Sequence, residues 1–189
     1  MMKLIFILLY ITLYCSGFSQ SQTIIRAYNI DEICISTEEY KLYELVMKYR
    51  KKHNLSKIPL SKALCHVARI HTEDLEINLQ ELSHAWSTCE YNNLKQKTYY
   101  CMWDKPKELT SYSAMGYEIA HGGVGGYIAS AESSLDGWQH SKAHNNVILN
   151  KDIWRDNKWN AIGIGIYGGF ATIWFGEQKD KDGKPVLCK

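Results

Sequence analysis

Two apolar runs near the C-terminal end constrain this chain more than any other feature. Ala161–Tyr167 and Phe170–Gly176 are each rich in β-branched and aromatic residues, and only Gly168-Gly169 separates them. A Gly-Gly pair between two such runs is a signal for a two-residue hairpin turn. Within the first run, Ile162-Gly163-Ile164-Gly165 alternates bulky and minimal side chains. A small antiparallel sheet of this kind needs helices on either side to bury both faces. That predicts an α/β chain with a three-layer α/β/α sandwich.

Helices are available for both layers. Ser36 can cap a helix running to His53, with Glu39 at the capping-box position, Ile35 stapled to Tyr40, and Leu42, Leu45, Val46 and Tyr49 forming one apolar stripe. After Pro59 a second helix spans Ser61 to Leu79, burying Leu64, Val67, Ala68, His71 and Leu75 on one face. A third is expected over Tyr127–His140, with Ile128, Ala131, Leu135 and Trp138 together. Leu82–Ser87 reads as a lead into a loop or edge strand, and Cys89–Thr110 as irregular. His121-Gly122-Gly123-Val124-Gly125-Gly126 lacks the Lys-Ser/Thr ending of a phosphate loop and has no clear strand ahead of it. No internal repeat or linker divides the chain. The expected organisation is a signal peptide over 1–19, one domain over 36–176, and a C-terminal tail over 177–189, of which Glu177–Lys184 reads as a solvated hairpin or loop.

The signal-peptide reading rests on Lys3, the apolar run Leu4–Leu13 and the small-residue patch around Gly17 and Ser19. A membrane span needs roughly 20 apolar residues, more than this run supplies. Cys15 follows Tyr14, where a lipidation signal wants a small residue, and is read as part of the removed segment. The expected localisation is secreted, periplasmic or otherwise extracytoplasmic, with no transmembrane span in the mature chain. Lys and Arg total 22 against 20 Asp and Glu, a net charge of +2 that gives no field for nucleic acid. The basic run Lys48-Tyr49-Arg50-Lys51-Lys52 is read as a complement to a helix dipole. Export permits disulfides. Cys89 and Cys101 flank a polar loop and are the preferred pair, worth roughly 2–4 kcal/mol. Cys34 and Cys188 can staple the chain ends, and Cys65, on an apolar helix face, is left as a buried thiol.

The histidines carry the candidate chemistry. His53 ends a basic helix, and His66 and His71 do not share a helix face well; His71 is read as a core histidine with a local partner. His140 and His144 have a metal-ligand spacing, but Ser141 stands where a zinc protease has its glutamate. Ser141 also lacks the nucleophile elbow of a serine hydrolase. His84, in Leu82-Ser83-His84, and Glu118, in Gly116-Tyr117-Glu118-Ile119-Ala120, complete the set.

In order along the chain stand a helix containing His66-Val67-Ala68-Arg69-Ile70-His71, then Leu82-Ser83-His84 and Gly116-Tyr117-Glu118-Ile119-Ala120. Trp138, Ser141-Lys142-Ala143-His144 with Val147-Ile148-Leu149, Ile162-Gly163-Ile164-Gly165 and Ala171-Thr172-Ile173-Trp174-Phe175-Gly176 follow. This succession resembles the bacterial-type CAP superfamily, the SCP domain of cysteine-rich secretory, venom-antigen and pathogenesis-related proteins. The resemblance implies a cleft lined by two histidines and two glutamates, with zinc on the histidines in some members. Carried over, His84, Glu118 and His144 match, while Ser141 takes the second glutamate's place. Trp154–Trp159 reads as an insertion. The resemblance implies a non-enzymatic module binding an extracellular or envelope ligand such as a lipid, sterol or protein. A divalent metal, with Zn as the candidate, would sit on His84 and His144. The alternative it leaves is a metal-dependent hydrolase using His84, His144 and Glu118.

Overall fold

The computed structural model describes residues 29–189, so the signal-peptide expectation lies outside the described residues. The strands are β1 (Cys34–Ile35), β2 (Gly116–Gly122), β3 (Ala161–Tyr167), β4 (Phe170–Gly176) and β5 (Val186–Leu187). The helices are α1 (Thr37–Lys52), α2 (Lys62–Asp74), α3 (Tyr100–Trp103), α4 (Lys105–Leu109), α5 (Ala131–His140) and α6 (Lys142–Ile148). α2 continues into a wide π turn over Leu75–Leu79.

β4 is the central strand of an antiparallel sheet ordered β2-β4-β3. The expected hairpin joins β3 to β4 at Gly168-Gly169, where Gly168 has a φ of 55°. The alternation in β3 sorts the two faces. A Cβ on Gly163 would lie 2.1 Å from the Leu64 carbonyl carbon, and one on Gly165 would lie 2.5 Å from the Ala68 carbonyl. The glycines therefore let the backbone of α2 press directly onto the sheet. Thr172 on β4 faces the same way and donates to the Ala68 carbonyl at 3.3 Å. Ile162, Ile164, Ile173 and Phe175 point to the other face, where they pack with Leu42 and Val46 of α1, Trp138 of α5 and Ile148 of α6. Helices thus cover both faces, and the architecture is the expected α/β/α sandwich.

The N-terminus of α1 carries the expected capping box, with Ser36 accepting from the Glu39 amide and Glu39 accepting from the Ser36 amide. Arg50 departs from its expected role at the helix end. It is buried, and its guanidinium donates to Ser56 O, Ile148 O and Asn150 Oδ1, clamping the end of α6 to α1. The helix expected over Tyr127–His140 begins only at Ala131, because Ser130 forms a capping box with Ser133 and the Ala129 amide is drawn to Gly168 O. The segment ahead of the glycine-rich loop, read as lacking a strand, is β2. Its polar residues Glu118 and His121 hide the pattern: Glu118 is nonetheless buried, and Ile119 and Ala120 lie in the core. Cys89–Thr110, expected to be irregular, holds α3 and α4, with Pro106 in the first turn of α4 where its missing N–H costs nothing.

The tail is largely exposed, as expected, but is anchored to the domain at Asp180 and at β5. Asp180 Oδ2 accepts from Ser61 Oγ at 2.7 Å and from the Ala63 amide at 2.9 Å, capping α2, and β5 pairs in parallel with β1. Disulfides join Cys34 to Cys188 and Cys89 to Cys101, and Cys65 is a buried free thiol. Among the described residues, no helix is long and apolar enough to cross a membrane.

Candidate functional site

β2 is an edge strand, and the site forms on its open side. Glu118 projects toward α2, and its side chain is fully buried. His71 reaches it from α2 and His84 from the loop after the π turn. His71 Nδ1 donates to Glu118 Oε1, and His84 Nδ1 donates to Oε2 at 2.7 Å. His71 Nε2 faces the carbonyl of Ala85 at 2.9 Å. Both ring nitrogens of His71 therefore meet acceptors, which is satisfied only by the doubly protonated imidazolium. Trp86 stacks on that ring at 4.3 Å with 14° between planes, a geometry that favours the cationic form.

The charges agree with the hydrogen bonds. Burial would push the Glu118 carboxyl up. The positive charge on His71 and the bonds from both histidines outweigh it and hold the group well below the ordinary carboxylate range. Burial likewise opposes protonation of His71, yet Glu118 and the Ala85 carbonyl raise it above an ordinary histidine.

With Nδ1 of His84 committed to Glu118, its Nε2 is left for the cleft, and its side chain is 27% exposed. His144 enters from α6. Burial, and after it the neighbouring His84 ring, lower its pKa and favour the neutral imidazole. α6 is held in place by Arg50, by Tyr49 Oη donating to Asn145 Oδ1 at 3.1 Å, and by Trp159 Nε1 donating to Val147 O at 3.0 Å. Trp138 fixes α5 to the sheet through Nε1 and Ala120 O at 3.0 Å.

His84, Glu118 and His144 thus line one cleft of about 410 Å³. Its walls are Tyr91, Tyr99, Trp103, Tyr117 and Trp154. Ser141 does not line it. That residue is the junction between α5 and α6, where its carbonyl accepts from the Asn145 amide at 2.8 Å. His140 is exposed and turned to Asp136, so it does not pair with His144. His71 is the site residue that the sequence reading placed in the core with a local partner. Its partner is Glu118, 47 residues on. A histidine inside an otherwise apolar helix stripe that faces a strand was the available signal.

Among the described residues, no group of three or more His, Cys, Asp or Glu side chains is placed to hold a metal ion. The cleft offers two imidazoles, and Glu118, with both oxygens accepting from histidines, has none left as a ligand. A structural or catalytic zinc takes three or four protein ligands, so the donor set falls short of a resident zinc centre.

No protein-family model matches the chain. An uncharacterized membrane protein of Bacillus subtilis (strain 168), YlbC, is 26% identical over 137 residues, covering 72% of this chain and 34% of that protein. A solved extracellular protein containing an SCP domain, from Bacillus anthracis str. Ames, superposes with a TM-score of 0.57 at 20% identity, over 75% of this chain and 40% of that one. A cysteine-rich secretory protein of Staphylococcus aureus gives a TM-score of 0.51 at 17% identity, over 75% of this chain and 38% of that one. The chain spans well under half the length of each. The layered sheet, the order of its elements and these likenesses agree: the chain has the fold of the CAP superfamily, the SCP-domain fold.

Proposed function

We propose that this chain is an exported, non-enzymatic binding module that takes an extracellular or envelope ligand in the cleft beside β2. The observation that carries the reading is the convergence of His84, Glu118 and His144 beneath a wall of aromatic rings. Concave sites with mostly apolar walls and a few converging polar groups are where small ligands bind. Two disulfides and the likeness to an extracellular protein of B. anthracis and a secretory protein of S. aureus support export. A lipid or sterol body, or an apolar side chain of a protein partner, suits the aromatic walls, with His84 Nε2 and the His144 ring to orient a polar end. Ala143 lines the cleft on exposed α6, so Ala143→Trp should fill it without touching the core. In a thermal-shift screen of lipids, sterols and small polar compounds, ligands should stabilise the wild type and fail on Ala143→Trp. If no compound distinguishes the two proteins, the cleft is not the binding site.

A second reading retains a divalent ion, because the His84 Nδ1 bond to Glu118 leaves Nε2 free in the orientation that carboxylate-supported histidines use toward metals. With two imidazoles the ion would be held weakly, and solvent would complete its shell. Zinc titration by calorimetry should show uptake that His84→Ala and His144→Ala both abolish; equal heats from all three proteins would exclude it. The hydrolase alternative gains no support from the geometry, since Glu118 has no oxygen left to act as base.

A further inference from the structure

The aromatic walls of the cleft meet one another at steep angles. Tyr99 and Trp103 meet at 72° with centroids 5.1 Å apart, Trp103 and Tyr117 at 61° and 6.2 Å, and Tyr117 and Trp154 at 75° and 5.2 Å. Successive rings from Tyr99 to Trp154 are thus steeply inclined to one another, while Tyr91 and Tyr99 stack at 23°. The lining contains no Lys or Arg, although the whole chain is slightly basic. It does contain two carboxylates, Glu118 at the base and Asp152 at the rim. Asp152 is held at a φ of 57°, a left-handed conformation, and its carboxylate has only a 3.5 Å contact from Asn146 Nδ2. Glu118 is committed to His71 and His84, which leaves Asp152 as the lining carboxylate open to a ligand. The neutral ring of His144 adds no opposing charge. Anionic ligands would find no Lys or Arg in the lining to receive them.

We propose that this cleft is an aromatic cage for a small organic cation of the quaternary or alkylated ammonium class, with the ring faces of Trp103, Tyr117 and Trp154 around the cation and Asp152 drawing it in. Ring faces carry negative quadrupole density, and several rings set at angles present it to one point. A quaternary ammonium needs no hydrogen-bond acceptor, which matches walls made of ring carbon. The assignment rests on the reading of the cleft as a ligand site and names the ligand's class.

Choline and its uncharged isostere 3,3-dimethylbutan-1-ol separate charge recognition from shape. Titrations of the mature protein, followed by calorimetry and by tryptophan fluorescence from Trp103 and Trp154, should show saturable choline binding at least about tenfold tighter than the isostere. Trp154→Leu should lose about tenfold while Trp154→Phe, which keeps a ring face, retains most of the affinity; Asp152→Asn should weaken binding a few-fold and flatten its salt dependence. Choline-competable association with phosphatidylcholine but not phosphatidylglycerol vesicles would place the cation on a lipid headgroup. Choline binding without vesicle association would place it on a soluble ligand. Equal affinity for choline and its isostere, or unchanged choline binding by Trp154→Leu, overturns the cage. A neutral compound excluded by Ala143→Trp, with choline inert, overturns the cation class and leaves the binding module standing. Failure of every compound to distinguish Ala143→Trp from wild type overturns both.

Discussion

Replacing Glu118 with Gln tests the central electrostatic claim, that His71 is held as an imidazolium. The two side chains are nearly isosteric, so no cavity opens. In the wild type, Glu118 accepts two charge-assisted hydrogen bonds, from His71 Nδ1 and His84 Nδ1, while His71 Nε2 donates to Ala85 O. The substituted amide keeps one acceptor oxygen and presents an N–H to the other ring. His71 can meet that N–H only as the neutral tautomer protonated on Nε2. The change therefore exchanges charged for neutral hydrogen bonds, a loss of about 1 kcal/mol for each, plus the Coulomb attraction of the pair. The expected cost is about 2–3 kcal/mol near pH 6, less than the 3–5 kcal/mol of stranding a buried charge, because His71 can give up its proton. For a chain of this size that is a fall in Tm of roughly 4–12 °C.

The pH profile is the sharper readout. Glu118 titrates below its unfolded value of about 4.3, so its contribution is complete above that pH and is lost as the pH falls through the folded value. His71 titrates above its unfolded value of about 6.5, so its contribution is complete below pH 6.5 and is lost as the pH rises through the folded value. The stability difference between wild type and Glu118→Gln should thus be greatest between about pH 4.5 and 6.5 and should shrink on both sides. Burial and Arg69 lower His66 in both proteins, so that background cancels, whereas His144 loses the charge of Glu118 that raises it and titrates lower in the variant. Urea unfolding at a series of pH values measures the difference. A difference under about 0.5 kcal/mol at pH 6, or one that stays constant to pH 9, would refute the imidazolium assignment.

Three further outcomes follow from the packing. Gly163→Ala should destabilise by more than about 3 kcal/mol or prevent folding, because its Cβ would lie 2.1 Å from backbone of α2, whereas alanine at Gly125, where nothing lies within 4 Å, should pay only for its φ of 79°; chemical denaturation separates the two. Arg50→Met should cost about 2–4 kcal/mol by orphaning the Ile148 carbonyl and Asn150, and should loosen α6 enough to broaden the His144 ring signals in NMR while those of His71 stay sharp. Loss of the Cys34–Cys188 bridge, which spans 154 residues, should lower stability by up to about 5 kcal/mol in the chain-entropy model, against about 3 kcal/mol for the 12-residue span of Cys89–Cys101; equal losses measured by denaturant titration of the two double-serine variants would count against loop entropy as their main effect.

How far these features could be read in the sequence depends on the range of the interaction that decides them. The hairpin, its glycine turn and the Ile-Gly alternation are local, and the alternation already sorts a face that accepts a helix backbone from one that needs bulk. The capping box at Ser36 is local too. β2 was hidden because its signal is diluted by Glu118 and His121, and a carboxylate belongs inside a sheet only if something far away neutralises it. That partner, His71, sits in an apolar stripe where a sequence reading has reason to expect a contact but no means of choosing among the acidic residues. The same holds for Asp180, whose place in the tail suggests solvent until α2 supplies Ser61 Oγ and the Ala63 amide as donors. Arg50 in a basic run has the look of a helix-end charge until α6 brings a carbonyl to it.

The ordered motifs nevertheless brought His84, Glu118 and His144 into one cleft and missed the residue that sets their protonation. That asymmetry follows from the chemistry. A cleft residue is exposed to ligand and stands among loop signals, whereas the group that fixes its charge is buried by necessity, since only a low dielectric makes the coupling strong. The same logic explains why Ser141 drops out of the cleft. Ser141 sits at the α5–α6 junction, where only its backbone takes part in the helix start, and its short side chain does not reach the cleft lining. With Ser141 displaced and Glu118 committed to His71 and His84, the cleft floor carries no free carboxylate, and the remaining charge lies at the rim on Asp152. What distinguishes the cleft is then its aromatic wall, part of which, Trp154, comes from the segment that the sequence reading set aside as an insertion.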